Sequence, residues 1–239
     1  MTAPTFRLIH KGNLGKGELA AATRAINRFA EYGIRTEAMP LGEQAFQNVK
    51  MAAQLRDALG SSGQAYVNPG FLSTRFDESV SLAEERAGVA GIVLIGKRIF
   101  LLDDSGNGAQ QEIPGRSRFR SGAIVTVAGV REAFGFDMVG GEYRVEAELA
   151  ERTVEMLVRN TIGHVLIDTY RGPGKGFMEC TDRACLMQEY FSIADLADFV
   201  VKPMLDFCGR CRERIEEEVY HLNGNWDFNR KITKRSGKR

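Results

Sequence analysis

The residues of this chain that are best suited to chemistry are its four cysteines, which form two close pairs: Cys180, Cys185, Cys208 and Cys211. A tetrahedral zinc site needs four donors, with sulfur at about 2.3 Å from the ion, and two short loops can supply them. Gly209, inside the second pair, is expected to help the backbone turn its amides toward the thiolates. The pattern predicts one structural zinc ion, because four cysteine ligands leave no open position for a substrate.

Other uses of the cysteines stay open from the spacing alone. They could form two disulfides, remain four unconnected buried thiols, or hold an iron–sulfur cluster, although the spacings differ from the common ferredoxin patterns. No apolar run approaches the roughly 18 residues of a membrane-spanning helix, and the opening segment 1–7 lacks the profile of a secretory signal. We therefore expect a cytoplasmic protein with no membrane association, in which reduced thiols favour metal binding.

A methionine extends the cysteine pattern. Met187 follows Cys185 with one residue between them, ahead of the pair Cys208 and Cys211. This arrangement resembles the archaemetzincins, zinc metallopeptidases whose zinc helix, His-Glu-x-x-His-x-x-Gly-x-x-His, is followed by Cys, four residues, Cys, one residue, Met, a spacer and Cys-x-x-Cys. The resemblance has motif support over about residues 123–214 and implies a metzincin-like fold.

The zinc helix of that family corresponds here to a segment whose chemical positions are mostly changed. Asn160 stands at the first His, Thr161 at the catalytic Glu, His164 at the second His, Ile167 at the Gly and Tyr170 at the third His, and an insertion, 171–179, precedes the cysteines. A catalytic zinc needs three strong ligands, a bound water and a carboxylate that accepts its proton. A neutral amide is a poor ligand, a tyrosine has to ionise from a pKa of about 10, and a threonine is not a base near neutral pH. The resemblance therefore implies a decayed catalytic site.

The expected function is that of a catalytically inactive pseudo-peptidase with a structural zinc ion and a cleft for a peptide or protein partner. The alternative is an active zinc-dependent peptidase with rearranged ligands, in which His10 or His221 joins His164 and Asp168 orients the imidazole. Enzymatic activity and a second metal near His164 are thus open. The simpler expectation is a buried or half-buried His164 that is satisfied by a neighbour.

A nucleic-acid-binding zinc module is a further alternative. Arg116, Arg118 and Arg120 surround Phe119, and residues 230–239 form a basic tail. The formal net charge is only +1, and charge runs are usually solvated surface, so this partner is less favoured than a peptide or protein. The sequence does not specify the partner's identity or the oligomeric state.

The order of apolar patterns predicts a mixed α/β fold with a twisted, mainly parallel sheet, a long central helix and a small C-terminal zinc-binding lobe. We expect strands at 6–10, 34–39, 91–96, 98–102 and 122–127, helices at 16–32, 44–59, 145–168, 192–201 and 209–222, and a surface loop at 103–121. A single domain is expected over 1–222, with the zinc knuckle at 180–211 and a tail at 223–239. The composition, with 44% hydrophobic and 26% charged residues, is typical of a globular protein.

Overall fold

A computed structural model of the chain describes residues 4–11, 14–40, 64–67, 89–96, 98–101, 111–118, 122–134, 143–167, 180–188 and 206–224. Its strands are β1 (Thr5–Lys11), β2 (Arg35–Pro40), β3 (Gln64–Val67), β4 (Val89–Ile95), β5 (Arg98–Leu101), β6 (Gln111–Ile113), β7 (Gly115–Arg118) and β8 (Gly122–Thr126). Its helices are α1 (Lys16–Asn27), α2 (Ala128–Ala133), α3 (Tyr143–Leu166) and α4 (Gly209–Gly224), with a 3-10 turn at Arg28–Tyr32.

The main sheet has the strand order β2-β1-β4-β8-β7. Strands β2, β1, β4 and β8 run parallel, and β7 pairs antiparallel with β8 at the edge. Strands buried on both faces carry continuous apolar runs, and Ile92, Val93, Leu94 and Ile95 of β4 are all buried. The expected mixed α/β fold with a mainly parallel sheet is confirmed.

Helices α1 and α3 pack against each other. The stripe Ala21, Ala22, Ala25 and Ile26 is buried because helical spacing places these residues on one face. Arg24, on the outer side of the contact, donates hydrogen bonds to Glu151 and Glu155, both at 3.1 Å. The long helix α3 is thereby held in place, and its C-terminal end carries positions 160 to 164.

Residues 103–121 were expected to form a surface loop, and that prediction is wrong in part. Strand β6 pairs antiparallel with β5, and β7 pairs antiparallel with β8. Both strands are short, and β7 has the polar sequence Gly-Arg-Ser-Arg at the sheet edge, so neither shows an apolar alternation. Strand β5, expected simply to follow β4, belongs to a second sheet of order β3-β5-β6.

The other predicted elements agree with the structure where it describes them. Gly33 ends the 3-10 turn in the left-handed conformation, at φ 80°, which glycine adopts without steric cost. The last helix extends to Gly224, two positions past the predicted domain boundary at 222, and the division into domain and tail stays a prediction. The predicted helices at 44–59 and 192–201, the insertion 171–179, Arg120 and the tail segment 230–239 lie outside the described residues. Within the described residues, no helix is both long and apolar enough to cross a membrane.

Candidate metal centre

The first cysteine pair lies on a short polar turn. The Asp182 carbonyl accepts a hydrogen bond from the Cys185 N–H at 3.0 Å, and its carboxylate accepts one from the Ala184 N–H at 2.9 Å. Asp is favoured at such positions because its short side chain can bond the backbone two residues on. Residues 181–184 are exposed while Cys180 and Cys185 are buried, so the turn lies at the surface with its two cysteines on the inner side.

The second pair lies at the start of α4. Cys208 immediately precedes the helix, its carbonyl accepts the Arg212 N–H at 2.9 Å, and Cys211 lies in the first turn. Residues three apart on a helix share a face, so both sulfurs point the same way. The role predicted for Gly209 is not supported, because a Cβ at this position would meet no atom within 4 Å and its φ is not positive.

The four sulfurs lie within 4.8 Å of one another, and the Sγ atoms of Cys180 and Cys208 are 3.5 Å apart. Four thiolates at about 2.3 Å from one ion would be about 3.8 Å apart in a regular tetrahedron. The cysteines are free thiols, so the sulfurs are brought together without a disulfide. The donor set and its dimensions fit one tetrahedral metal ion.

Backbone N–H groups donate hydrogen bonds to the sulfurs. The pKa values of Cys185 and Cys211 are raised, whereas that of Cys208 is lowered. Burial raises the pKa of Cys185 to about 11, although the N–H groups of Cys208 and Met187, at 3.3 and 3.4 Å, oppose the rise. Burial also raises the pKa of Cys211. For Cys208, burial acts in the same direction, but hydrogen bonds from the Cys211 N–H and from neighbouring thiols outweigh it and lower the pKa. A bound cation would favour the thiolate forms of Cys185 and Cys211, whose pKa values burial raises.

The two cysteine segments are joined by backbone bonds beside the sulfurs. Cys185 and Asp206 form an isolated parallel bridge, and the Leu186 N–H donates to the Asp206 carbonyl at 3.0 Å. The Gln188 side chain donates to the carbonyls of Cys180 and Asp182. We call the two segments, 180–188 and 206–212, the cysteine lobe.

Asn160, which the resemblance aligns with the first His of the family motif, is hydrogen-bonded to the cysteine lobe. Its side-chain amide nitrogen donates to the Leu186 carbonyl at 2.6 Å and to the Gln188 carbonyl at 3.0 Å. Asn160 is buried, so both donors are used where water cannot replace the partners. The residue is a link between α3 and the lobe.

The side chains at the neighbouring motif positions 161, 164 and 167 are buried or half-buried. The buried Thr161 hydroxyl donates to the Leu157 carbonyl at 2.7 Å within its own helix. His164 is half-buried as expected, and burial lowers its pKa to about 4, so the imidazole is neutral at neutral pH. Ile167 is buried directly after α3, whereas Asp168 and Tyr170 lie outside the described residues.

The described part of the chain brings one group of metal-ligating side chains together, the four cysteines. His10 lies on β1 and His221 near the end of α4, and neither forms such a group with His164. The described residues therefore do not bring His10, His164 and His221 together as a metal site.

No protein-family model matches the chain, and no curated protein matches it. The chain is similar to the crystal structure of archaemetzincin from Methanopyrus kandleri. The two are 17% identical, with a TM-score of 0.49, and the match covers 91% of this chain and 96% of that chain. That protein belongs to the family that the cysteine and methionine spacing resembles, and identity this low transfers no residue roles.

Several residues that shape the site carry no obvious chemical signal in the sequence. Asp206 accepts hydrogen bonds from buried Arg159 and, at 2.8 Å, from Arg212. Gly163 is in close contact with the lobe, because a Cβ there would lie 2.5 Å from the Met187 sulfur and 2.9 Å from the Phe207 ring. In the sequence, the only sign of these contacts is that Gly163 is next to His164 and that Asp206 lies two positions before Cys208.

Proposed function

We propose that this protein is a catalytically inactive relative of zinc peptidases, in which one structural zinc ion on Cys180, Cys185, Cys208 and Cys211 stabilises a fold that binds a peptide or protein partner in the cytoplasm. The observation that carries the proposal is a contrast. Four sulfurs converge within 4.8 Å of one another, while Asn160 of the former catalytic helix is hydrogen-bonded to backbone carbonyls.

Zinc is the metal that this donor set favours. A tetrahedral four-sulfur environment is typical of zinc or of iron–sulfur chemistry. A cluster of several irons needs space between the sulfurs for more than one metal, and the 3.5 Å separation of the Cys180 and Cys208 sulfurs is suited to a single ion. A closed four-sulfur zinc site stabilises a fold and leaves no position for an activated water.

The loss of peptidase chemistry rests on the side chains of α3. The general base of a zinc peptidase is a carboxylate beside the metal, and Thr161 supplies a hydroxyl whose hydrogen bond goes to the Leu157 carbonyl. His164 is the one imidazole of the motif, and a single histidine cannot hold a catalytic ion that needs three ligands. A fold that keeps its structural metal while losing its catalytic groups is best explained by retained binding.

The proposal is tested by metal content together with peptidase activity. Reduced full-length protein, purified without added metal, should contain one zinc per chain by inductively coupled plasma mass spectrometry. Mixed peptide libraries should remain uncleaved after zinc supplementation.

His164→Ala is the informative variant, and Ala184→Ser, an exposed change in the cysteine turn, is its matched control. Both should keep one zinc per chain. Two zinc ions per chain, with peptide cleavage that His164→Ala abolishes, would establish the active-peptidase alternative instead. Iron in place of zinc would refute the assignment of the ion while leaving the four-sulfur site intact.

A further inference from the structure

The four cysteines of the lobe differ in their access to solvent. Cys180, Cys185 and Cys211 are 7%, 0% and 3% exposed, whereas Cys208 is half-buried. The next residue, Gly209, is exposed, and a Cβ at that position would meet no atom within 4 Å. A small oxidant therefore approaches the cysteine cluster most readily at Cys208.

The backbone around Cys208 favours a negatively charged sulfur. Cys208 immediately precedes α4, and its sulfur accepts a hydrogen bond from the Cys211 N–H in the first turn of that helix. The amino-terminal end of a helix carries a partial positive charge, which favours an anion. Zinc binds cysteine as the thiolate, and the thiolate is the form that peroxides oxidise. With zinc bound, Cys208 therefore combines solvent access with the reactive form of the side chain.

A second sulfur lies next to that of Cys208 and belongs to the other segment of the lobe. The Sγ atoms of Cys180 and Cys208 are 3.5 Å apart, which is a direct contact between the two sulfurs. Cys185 accepts hydrogen bonds from the N–H groups of Met187 and Cys208, and Cys211 is held in the first turn of α4. Cys180 lies at the beginning of a surface turn and is the most exposed of these three cysteines. It is therefore the sulfur best placed to react with an oxidised Cys208.

We propose that Cys208 is an oxidation site for peroxides, at which a disulfide bond with Cys180 forms and the zinc ion is released. This inference rests on the proposed structural zinc ion and extends it to the regulation of the same site. Release of the ion would weaken the lobe, whose Leu186 and Gln188 carbonyls accept hydrogen bonds from the Asn160 amide. Oxidation would therefore loosen the contact between the lobe and α3.

The reaction needs hydrogen peroxide as its oxidant and takes place in two steps. The Cys208 thiolate attacks one peroxide oxygen, the O–O bond breaks, and a sulfenic acid and a hydroxide ion form. The Cys180 thiolate then attacks the Cys208 sulfur, so that the S–S bond forms and a second hydroxide ion leaves. Two thiolates lose two electrons, the peroxide gains them, and the hydroxide ions take up protons from the buffer. The zinc ion keeps only two of its four ligands, which is too few for a structural site.

The test is peroxide treatment of the zinc-loaded full-length chain, reduced beforehand and then freed of reductant. Hydrogen peroxide should release one zinc ion per chain, measured with a chromophoric chelator, and dithiothreitol with added zinc should restore the bound ion. Trypsin and Glu-C together place each cysteine on its own peptide, because they cleave after Arg183, Glu189 and Arg210. Mass spectrometry without reduction should then find Cys180 joined to Cys208.

The outcomes separate this inference from the proposed function. A reduced chain that contains no zinc before treatment would refute the structural zinc ion. Zinc that is retained under peroxide, or a disulfide bond between Cys208 and Cys211, would overturn the present inference alone. So would irreversible oxidation of Cys208 to a sulfinic acid while Cys180 stays reduced.

A pair of variants connects zinc release to Cys208. Zinc accepts an imidazole nitrogen in place of one thiolate, so Cys208→His should keep the ion while removing the accessible sulfur. Its release of zinc under peroxide should be about tenfold slower, because the remaining thiolates are buried. Ala184→Ser, an exposed change in the other turn, should release zinc at the wild-type rate. Equal rates for the two variants would contradict the role of Cys208, and if Cys208→His binds no zinc, the disulfide map of the wild-type chain decides.

Discussion

The cysteine lobe and the end of α3 lie side by side, and the structure uses their polar residues in opposite ways. In the lobe, four side chains converge on a shared centre, with sulfurs within 4.8 Å of one another. At the end of α3, Asn160 and Thr161 direct their polar groups to backbone carbonyls. The lobe could hold a metal ion, and the helix is hydrogen-bonded to the lobe.

This difference gives Asn160 a structural role. The amide of Asn160 has two N–H donors on one nitrogen, and it places them on the carbonyls of Leu186 and Gln188. A neutral imidazole has one N–H donor and could not make both bonds. A neutral histidine at position 160 would therefore lose at least one of the two hydrogen bonds to the lobe.

The largest effect should come from removing one ligand of the lobe. Cys185→Ser should abolish stoichiometric zinc and unfold the lobe, because structural zinc binding provides about 10–16 kcal/mol in small domains, as much as the whole stability of a typical protein. Metal analysis and hydrogen exchange of residues 180–188 and 206–212 measure this loss. Ala184→Ser, at the adjacent exposed position, should keep both metal and protection. A Cys185→Ser protein with wild-type stability would show that the ion is dispensable.

The link between the regions should give the next largest effect. Asn160→Ala removes two buried hydrogen bonds and leaves two carbonyls without their donor, at a cost of about 3 kcal/mol in the free energy of unfolding. It should also speed zinc transfer to a chelator, because Leu186 and Gln188 flank Met187 within the lobe. Thr161→Val, which removes a bond within one helix, should cost less than about 1 kcal/mol and leave the transfer rate unchanged. Equal transfer rates for the two variants would argue against a link.

The sequence predicts the two regions to different extents, for physical reasons. The cysteines lie in pairs close along the chain, so local spacing alone indicates a shared ion. The apolar runs of β4 and β8 and the helical periodicity of α3 likewise allow these elements to be predicted from the sequence. The partners of Asn160 lie more than twenty positions away along the chain and are backbone carbonyls, which have no residue-type signature. Strand β7 escapes prediction because its pairing with β8, and not its own polar side chains, makes it a strand.

The free energy of unfolding should depend on pH through His164, near the end of α3. Burial lowers its pKa from the ordinary value of about 6.5 to about 4, so the unfolded chain binds its proton more readily than the folded chain. Stability should therefore fall as pH decreases below about 6.5, by roughly 2–3 kcal/mol near pH 4. His164→Gln should lack this component. Acid also displaces zinc from thiolates, so the measurement is the difference between the unfolding free energies of wild type and variant across the pH range. A difference that does not change with pH would mean that His164 is as accessible to protons as in the unfolded chain.

Two glycines give the smallest and most local test of how closely the regions approach each other. Gly163 faces the lobe, and an alanine Cβ would lie 2.5 Å from the Met187 sulfur and 2.9 Å from the Phe207 ring, so these side chains would have to shift. Gly163→Ala should lower the free energy of unfolding by about 1–2 kcal/mol, because overpacking outweighs the better helix propensity of alanine. At Gly209 the same added atom meets nothing within 4 Å, so Gly209→Ala should be neutral or stabilising by up to about 1 kcal/mol. Urea denaturation of the zinc-loaded variants separates the two outcomes. A Gly163→Ala protein as stable as Gly209→Ala would mean that the lobe moves away from α3 at little cost, and the tight contact between the two regions would then have no energetic role.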